Sequence, residues 1–91
     1  MQHVNTNKSD IIFKALGHEI KRERIKQNKS IRMLAYEYGL QISLISRLEN
    51  CLNEPKLISL FSICEALGIK PSELLHRVEE NLPEKFSLIE K

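Results

Sequence analysis

The stretch SIRMLAYEYGLQISLISRLEN, Ser30 to Asn50, decides the fold. Ser30 is a good N-cap, because its hydroxyl can accept from an amide of the first helical turn. A helix follows from Ile31 to Tyr38, with Leu34, Ala35 and Tyr38 on its inner face. Gly39 stops it, since the residue just past a helix end commonly takes positive φ. Leu40 and Gln41 cross a short turn. A second helix runs from Ile42 to Asn50, with Ile45 and Leu48 as apolar positions. Ala35, Gly39 and Ile45 stand four and then six residues apart, and this spacing has a mechanical reason. Two helices that cross steeply need a small residue where their backbones approach, a turn that accepts positive φ, and a branched apolar anchor on the second helix.

Upstream, residues 1–9 are polar and aperiodic and read as a flexible arm. Asp10 is placed to cap a first helix, in which Phe13, Leu16 and Ile20 recur at helical spacing. That helix should stop near Gln27, because Asn28 tolerates the left-handed conformation. Arg24 is four after Ile20 and Glu49 is four after Ile45, so both charges lean inward. Inward charges need partners, and these two are expected to pair. Downstream, Asn53, Glu54 and Pro55 make a turn. Leu57, Leu60, Phe61, Cys64 and Leu67 mark a fourth helix that Gly68 ends. Cys64 on that stripe is expected to be a small buried hydrophobe. Pro71 and Glu73 open a fifth helix with Leu74, Leu75 and Val78 as its apolar positions. Pro83 breaks the pattern. No strand signal and no repeat appears. The expected fold is all-α: an arm over 1–9, a compact five-helix domain over 10–80, and a tail over 81–91.

Ninety-one residues make one domain with one modest core and no cleft between lobes. A chain so built, without an acid/base or nucleophile constellation, is not expected to be an enzyme. His3, His18 and His76 are scattered, and Cys51 and Cys64 lie thirteen apart with no zinc-ligand spacing. No metal and no cofactor is therefore expected. The apolar runs are too short to span a membrane, no signal peptide is visible, and a cytoplasmic location follows. The charge is uneven. Residues 1–50 carry nine Lys/Arg against five Asp/Glu, and residues 51–91 five against seven. Six of the basic residues (Lys21, Arg22, Arg24, Lys26, Lys29 and Arg32) fall between 21 and 32, with Glu23 as the one acid among them. Such a front half fits a face turned toward phosphate and, equally, a basic helix end that complements its own dipole.

The 30–50 stretch is thus a helix-turn-helix unit, whose second helix can enter a major groove. Here the chain resembles the Cro/cI-like, or XRE, family of DNA-binding domains, the lambda-repressor-like fold. The resemblance covers about Leu16 to Leu75. LGHEIKRER matches the family's first helix, with Arg24 at its buried arginine. SIRMLAYEYGL matches the second helix and turn. QISLISRLEN matches the recognition helix, with Glu49 at the acid that pairs with the arginine. NEP and LISLFSICEALGI match the family's next turn and fourth helix, and KPSELL its fifth. The sequence departs from the family pattern at three places. Ile31 stands where the family usually has Gln, Cys51 and Leu52 replace a Gly and a basic residue, and Ile42 and Leu44 are apolar where polar readers are common.

The resemblance implies a transcription regulator that binds double-stranded DNA through residues 42–50. Amides near Ser30, Ile31 and Arg32 would receive a phosphate. Arg32, Asn50 and Lys56 would add phosphate contacts. Gln41, Ser43, Ser46 and Arg47 would face base edges, with Ile42 against a thymine methyl and Leu44 beside it. One helix reads few base pairs, so a homodimer on two half-sites is expected. Leu52, Ile58, Leu82, Phe86, Leu88 and Ile89 offer spare apolar surface for it. The alternative is a protein-interaction module, antitoxin-like, which apolar Ile42, Leu44, Leu52 and Ile58 would suit. The basic stretch favours DNA.

Overall fold

A computed structural model of the chain describes residues 6–89. Among them lie five helices: α1 (Thr6–Lys26), α2 (Ile31–Tyr38), α3 (Ile42–Asn50), α4 (Leu57–Leu67) and α5 (Pro71–Glu80). None is long and apolar enough to cross a membrane. The all-α, five-helix architecture expected from the sequence is the one observed. α1 is the spine and packs on α3, α5 and α4, while α2 packs on α3.

The local signals act where their chemistry requires. The Ser30 Oγ accepts from the Met33 amide at 3.0 Å, which caps α2. Asn28 ends the first helix region at φ 59, and Gly39 ends α2 at φ 66. A side chain at Gly39 would meet no neighbour, so the glycine serves the backbone angle alone. Pro71 starts α5, where its missing N–H leaves no helical acceptor unused.

The core joins all five helices. Leu16 and Ile20 of α1, Leu34 and Ala35 of α2, Ile45 and Leu48 of α3, Cys64 and Leu67 of α4, and Leu74 and Val78 of α5 are buried together. Each fully buried Ile or Leu contributes roughly 1.5–3 kcal/mol relative to exposure. Cys51 is buried too, and burial pushes the thiols of both Cys51 and Cys64 up from their ordinary value.

Five sequence expectations are corrected. α1 begins at Thr6, one turn before Asp10, so Asp10 is an exposed residue inside the helix rather than its cap. Once the Phe13–Ile20 stripe is docked, extending the helix backwards gains about one hydrogen bond per residue fixed. Of the expected arm, residues 1–5 lie outside the described residues, and 6–9 are helical. Tyr38 is half exposed, its ring lying under the Lys29 Nζ at 5.4 Å. The buried face of α4 keeps Cys64 and Leu67, with Leu60 half-buried, as expected, but it is shifted: Ile63 and Ala66 join it, while Leu57 and Phe61 face outward. Glu65 is its one charged residue, so the apolar pattern runs round the helix and cannot fix the buried side. Leu75 is also exposed, because Leu74 and Val78 already fill the inner face of α5.

Two features were not visible as local patterns. Glu19 and Glu23 of α1 are buried polar residues. The Glu23 Oε1 accepts from Arg77 at 2.8 Å, and its Oε2 accepts from Gln27 at 2.9 Å. The Glu19 Oε2 accepts from Asn81 at 2.8 Å. These bonds hold α5 along α1. At Gly17 the backbone of α1 faces the backbone of α3 directly. A Cβ there would overlap the Glu49 carbonyl oxygen and sit 3.1 Å from that of Leu48.

Candidate nucleic-acid interface

The inward side of α3 is fixed before its outward side matters. Ile45 and Leu48 bury in the core. Arg24 then grips the last turn with a two-pronged contact: its Nε donates to the Glu49 Oε2 at 2.6 Å and its Nη2 to Oε1 at 2.9 Å. Its Nη1 donates to the Lys29 carbonyl at 2.7 Å, which ties in the loop that leads to α2. The side chains of Arg24 and Glu49 are 10% and 5% exposed, so this is a buried pair. The Glu49 carboxylate holds the Arg24 guanidinium above its already high value, against the opposing effect of burial.

The other side of α3 is open. Gln41, Ile42, Ser43, Arg47 and Asn50 are exposed and Ser46 is half-buried. Arg47 lies back along the helix, its Nε donating to the Ser43 carbonyl at 3.3 Å. Asn50 does the same to the Ser46 carbonyl at 2.9 Å. Both side chains extend from a rigid helix onto one surface. Leu44 differs: it is half-buried and packs against the core.

The N-terminus of α2 lies alongside in the chain. Ser30 satisfies the Met33 amide with its hydroxyl and the Leu34 amide with its carbonyl. The amides of Ile31 and Arg32 therefore mark the positive end of the helix, with the Arg32 side chain exposed beside them. The Ile31 side chain packs against the core, so only its backbone is available. Beyond α3, an open groove of about 470 Å³ runs between the end of α3, the 51–56 turn and the start of α4. It brings Ser46, Arg47 and Asn50 of α3 together with Lys56, which lies across the 51–56 turn. Leu44 and Leu52 form its apolar wall, and Glu54 puts an acid on its rim.

The basic stretch is dispersed. Arg24 is committed to Glu49, Lys29 pairs with Glu37 at 3.0 Å, and Arg22 lies 3.6 Å from Glu19. Arg22 and Lys26 line a second, smaller depression with Arg77 and Glu80 of α5. The charge run is therefore divided among several surfaces, and Arg32 is its member at the start of α2. Sequence reasoning also passed over Tyr36, which is 90% exposed and one turn beyond Arg32. Its signal was an aromatic residue off the Leu34–Ala35 stripe.

Comparison with known proteins decides the family. The helix-turn-helix model HTH_3 matches residues 20–74, which include α2 and α3 whole. The chain belongs to this helix-turn-helix family, the XRE group. Its fold is shared with the clp gene regulator ClgR from C. glutamicum, at 24% identity and a TM-score of 0.70 over 81% of this chain and 96% of that one. The restriction-modification controller protein C.AhdI from Aeromonas hydrophila is 26% identical, with a TM-score of 0.61 over 72% and 97%. SinR, the master regulator for biofilm formation, solved in complex with DNA, is 28% identical, with a TM-score of 0.58 over 66% and 97%. A search of curated proteins finds no match.

Within this helix-turn-helix member, Cys51 takes the position two after Glu49, where the resemblance implies glycine. Its backbone is left-handed, at φ 26, and its amide donates to the Arg47 carbonyl at 2.8 Å to close α3. A non-glycine residue there carries strain on the order of 1–2 kcal/mol.

Proposed function

We propose that this chain is a sequence-specific DNA-binding transcription regulator of the cytoplasm, and that it binds its operator as a homodimer. Its DNA-binding domain spans 10–80, extended at the front by the first turn of α1, with 81–91 as a tail. α3 enters the major groove. Arg47 approaches guanine O6 and N7, Gln41, Ser43 and Ser46 face base edges, and Ile42 meets a thymine methyl. The amides of Ile31 and Arg32, beside Ser30, receive a phosphate, and Arg32, Asn50 and Lys56 add others. Leu44 supports this surface as the wall of the α3–α4 groove.

One observation carries the reading. α3 is bolted to α1 through the Arg24–Glu49 fork on one side and presents Gln41, Ile42, Ser43, Arg47 and Asn50 to solvent on the other. A helix held this way has a defined outward face that is left open to solvent. Membership of the helix-turn-helix family and the DNA complex of SinR support the same assignment, and favour a regulator over an enzyme. Among the described residues, no group of three or more His, Cys, Asp or Glu is placed to hold a metal.

Selection of binding sites from a random duplex library tests this. The expected result is one enriched motif with twofold symmetry and half-sites about one helical turn apart. Failure to enrich any motif overturns it.

A second reading, an antitoxin-like protein-interaction module, rests on exposed apolar surface. Leu52 is 80%, Ile58 75%, Leu57 65% and Phe61 52% exposed. Under the first reading these residues are available to the second subunit. Under the second, Ile42 and Leu44 become anchors in a foreign protein and binding depends little on salt.

A further inference from the structure

We infer that Gly17 is a positioning residue for DNA reading: the missing side chain sets how far α3 stands from α1, and so how its outer face is presented. The inference rests on the DNA-binding function proposed above. Gly17 is buried, and a Cβ at this position would overlap the Glu49 carbonyl oxygen while lying 2.9 Å from its carbonyl carbon and 3.1 Å from the Leu48 oxygen. The obstacle is backbone on both sides, so no rotamer change relieves it. The nearest relief is movement of α3 away from α1 by about 1 Å, because a close-packed interior has little compressible space.

The consequence follows from how the other elements are anchored. Gly17 and Arg24 are seven residues apart, two helical turns, and share one face of α1. Arg24 holds the Glu49 carboxylate with two donors and the Lys29 carbonyl with a third. Lys29 directly precedes Ser30, the N-cap of α2. The start of α2 is therefore tied to Arg24 through the loop, whereas the spacing of α3 depends on backbone contact at the Gly17 notch. A residue larger than glycine moves α3 outward while the start of α2 keeps its tether. Ser43 and Arg47 lie on the side of α3 away from Glu49, and they shift relative to the phosphate-receiving amides. The base contacts lose alignment while backbone contacts made by α2 and Lys56 persist.

The experiment measures specific and non-specific affinity of the full chain, for a selected duplex and a scrambled one of equal length. It is done at a temperature where circular dichroism shows each variant folded. Gly17→Ala is expected to lower the ratio of specific to non-specific affinity at least tenfold, with the salt dependence on scrambled DNA unchanged. A role in stability alone would lower the melting temperature and leave that ratio intact. Leu74→Ala, a core truncation in α5 that leaves both the notch and the fork in place, is expected to hold the ratio within about threefold. A folded Gly17→Ala with a ratio within twofold of wild type overturns the inference. So does a tenfold loss in Leu74→Ala, because the ratio would then follow general destabilisation, and so does a Gly17→Ala chain that folds at no temperature, because the notch would then serve folding and not placement. A wild-type chain that fails to distinguish the two duplexes overturns the DNA function itself.

Discussion

Glu49→Ala removes the carboxylate and leaves the Arg24 guanidinium in place, with its Nε and Nη2 donors unpaired inside the α1–α3 contact. The side-chain exposure of 10% and 5% decides which energetic regime applies. An exposed pair would be worth about 0–1 kcal/mol. A buried pair broken on one side strands a charge, at a cost of about 3–5 kcal/mol. The Lys29 carbonyl still accepts from Nη1, which argues for the lower end. A chain of this size holds roughly 5–14 kcal/mol of total stability. The loss is thus a large fraction of it, and the melting temperature should fall on the order of 20 °C. Removing both charges strands nothing, so R24M/E49L should lie within about 2 kcal/mol of wild type. Urea midpoints for the two single variants and the double measure this, provided the transition slopes agree. A Glu49→Ala midpoint equal to wild type would refute the assignment of the pair as a buried anchor.

Three other perturbations have defined outcomes. Cys51→Gly relieves the left-handed strain while losing the buried sulfur, whereas Cys51→Ala loses the sulfur and keeps the strain. Cys51→Gly should therefore be at least as stable as Cys51→Ala by urea titration, the reverse of the usual order inside a structured segment. Burial pushes the Glu23 carboxyl up, but the Gln27 amide and the Arg77 guanidinium, with Lys26 nearby, outweigh it and hold it below its ordinary value. A group depressed in the folded state adds stability that is complete above the ordinary carboxylate range and lost as pH falls through the folded value. Melting temperatures between neutral and acidic pH should show a steeper decline in wild type than in Glu23→Gln. In anisotropy titrations between about 50 and 200 mM salt, Arg32→Ala and Lys56→Ala should each flatten the salt slope by about one unit on any duplex. Arg47→Ala should instead relax preference at one base position, at a cost of about 1–3 kcal/mol; an equal loss on every sequence would remove it from base reading.

The features that could be read from sequence were those whose cause is local. Ser30, Asn28 and Gly39 act through their own backbone and the next turn, so their roles follow from residue type and position. Arg24 and Glu49 followed from helical period plus the cost of an unpaired inward charge. The features that escaped reading depended on which elements meet. α4 is apolar on nearly every side, so only its neighbours select Ile63 and Ala66 over Leu57 and Phe61. Gly17 is unfavourable inside a helix, but the reason for it exists only once the carbonyls of Leu48 and Glu49 are set against it. The basic run from Lys21 to Arg32 shows the same limit for the candidate site. Counted along the chain it suggests one cationic face, but successive residues on a helix point about 100° apart. Arg22, Arg24 and Lys29 meet Glu19, Glu49 and Glu37, respectively. The cations left for a phosphate at the candidate interface, Arg32, Arg47 and Lys56, come from three different elements. It is packing of α3 against α1 and the 51–56 turn, rather than charge density in the sequence, that brings Arg47 and Lys56 to one groove.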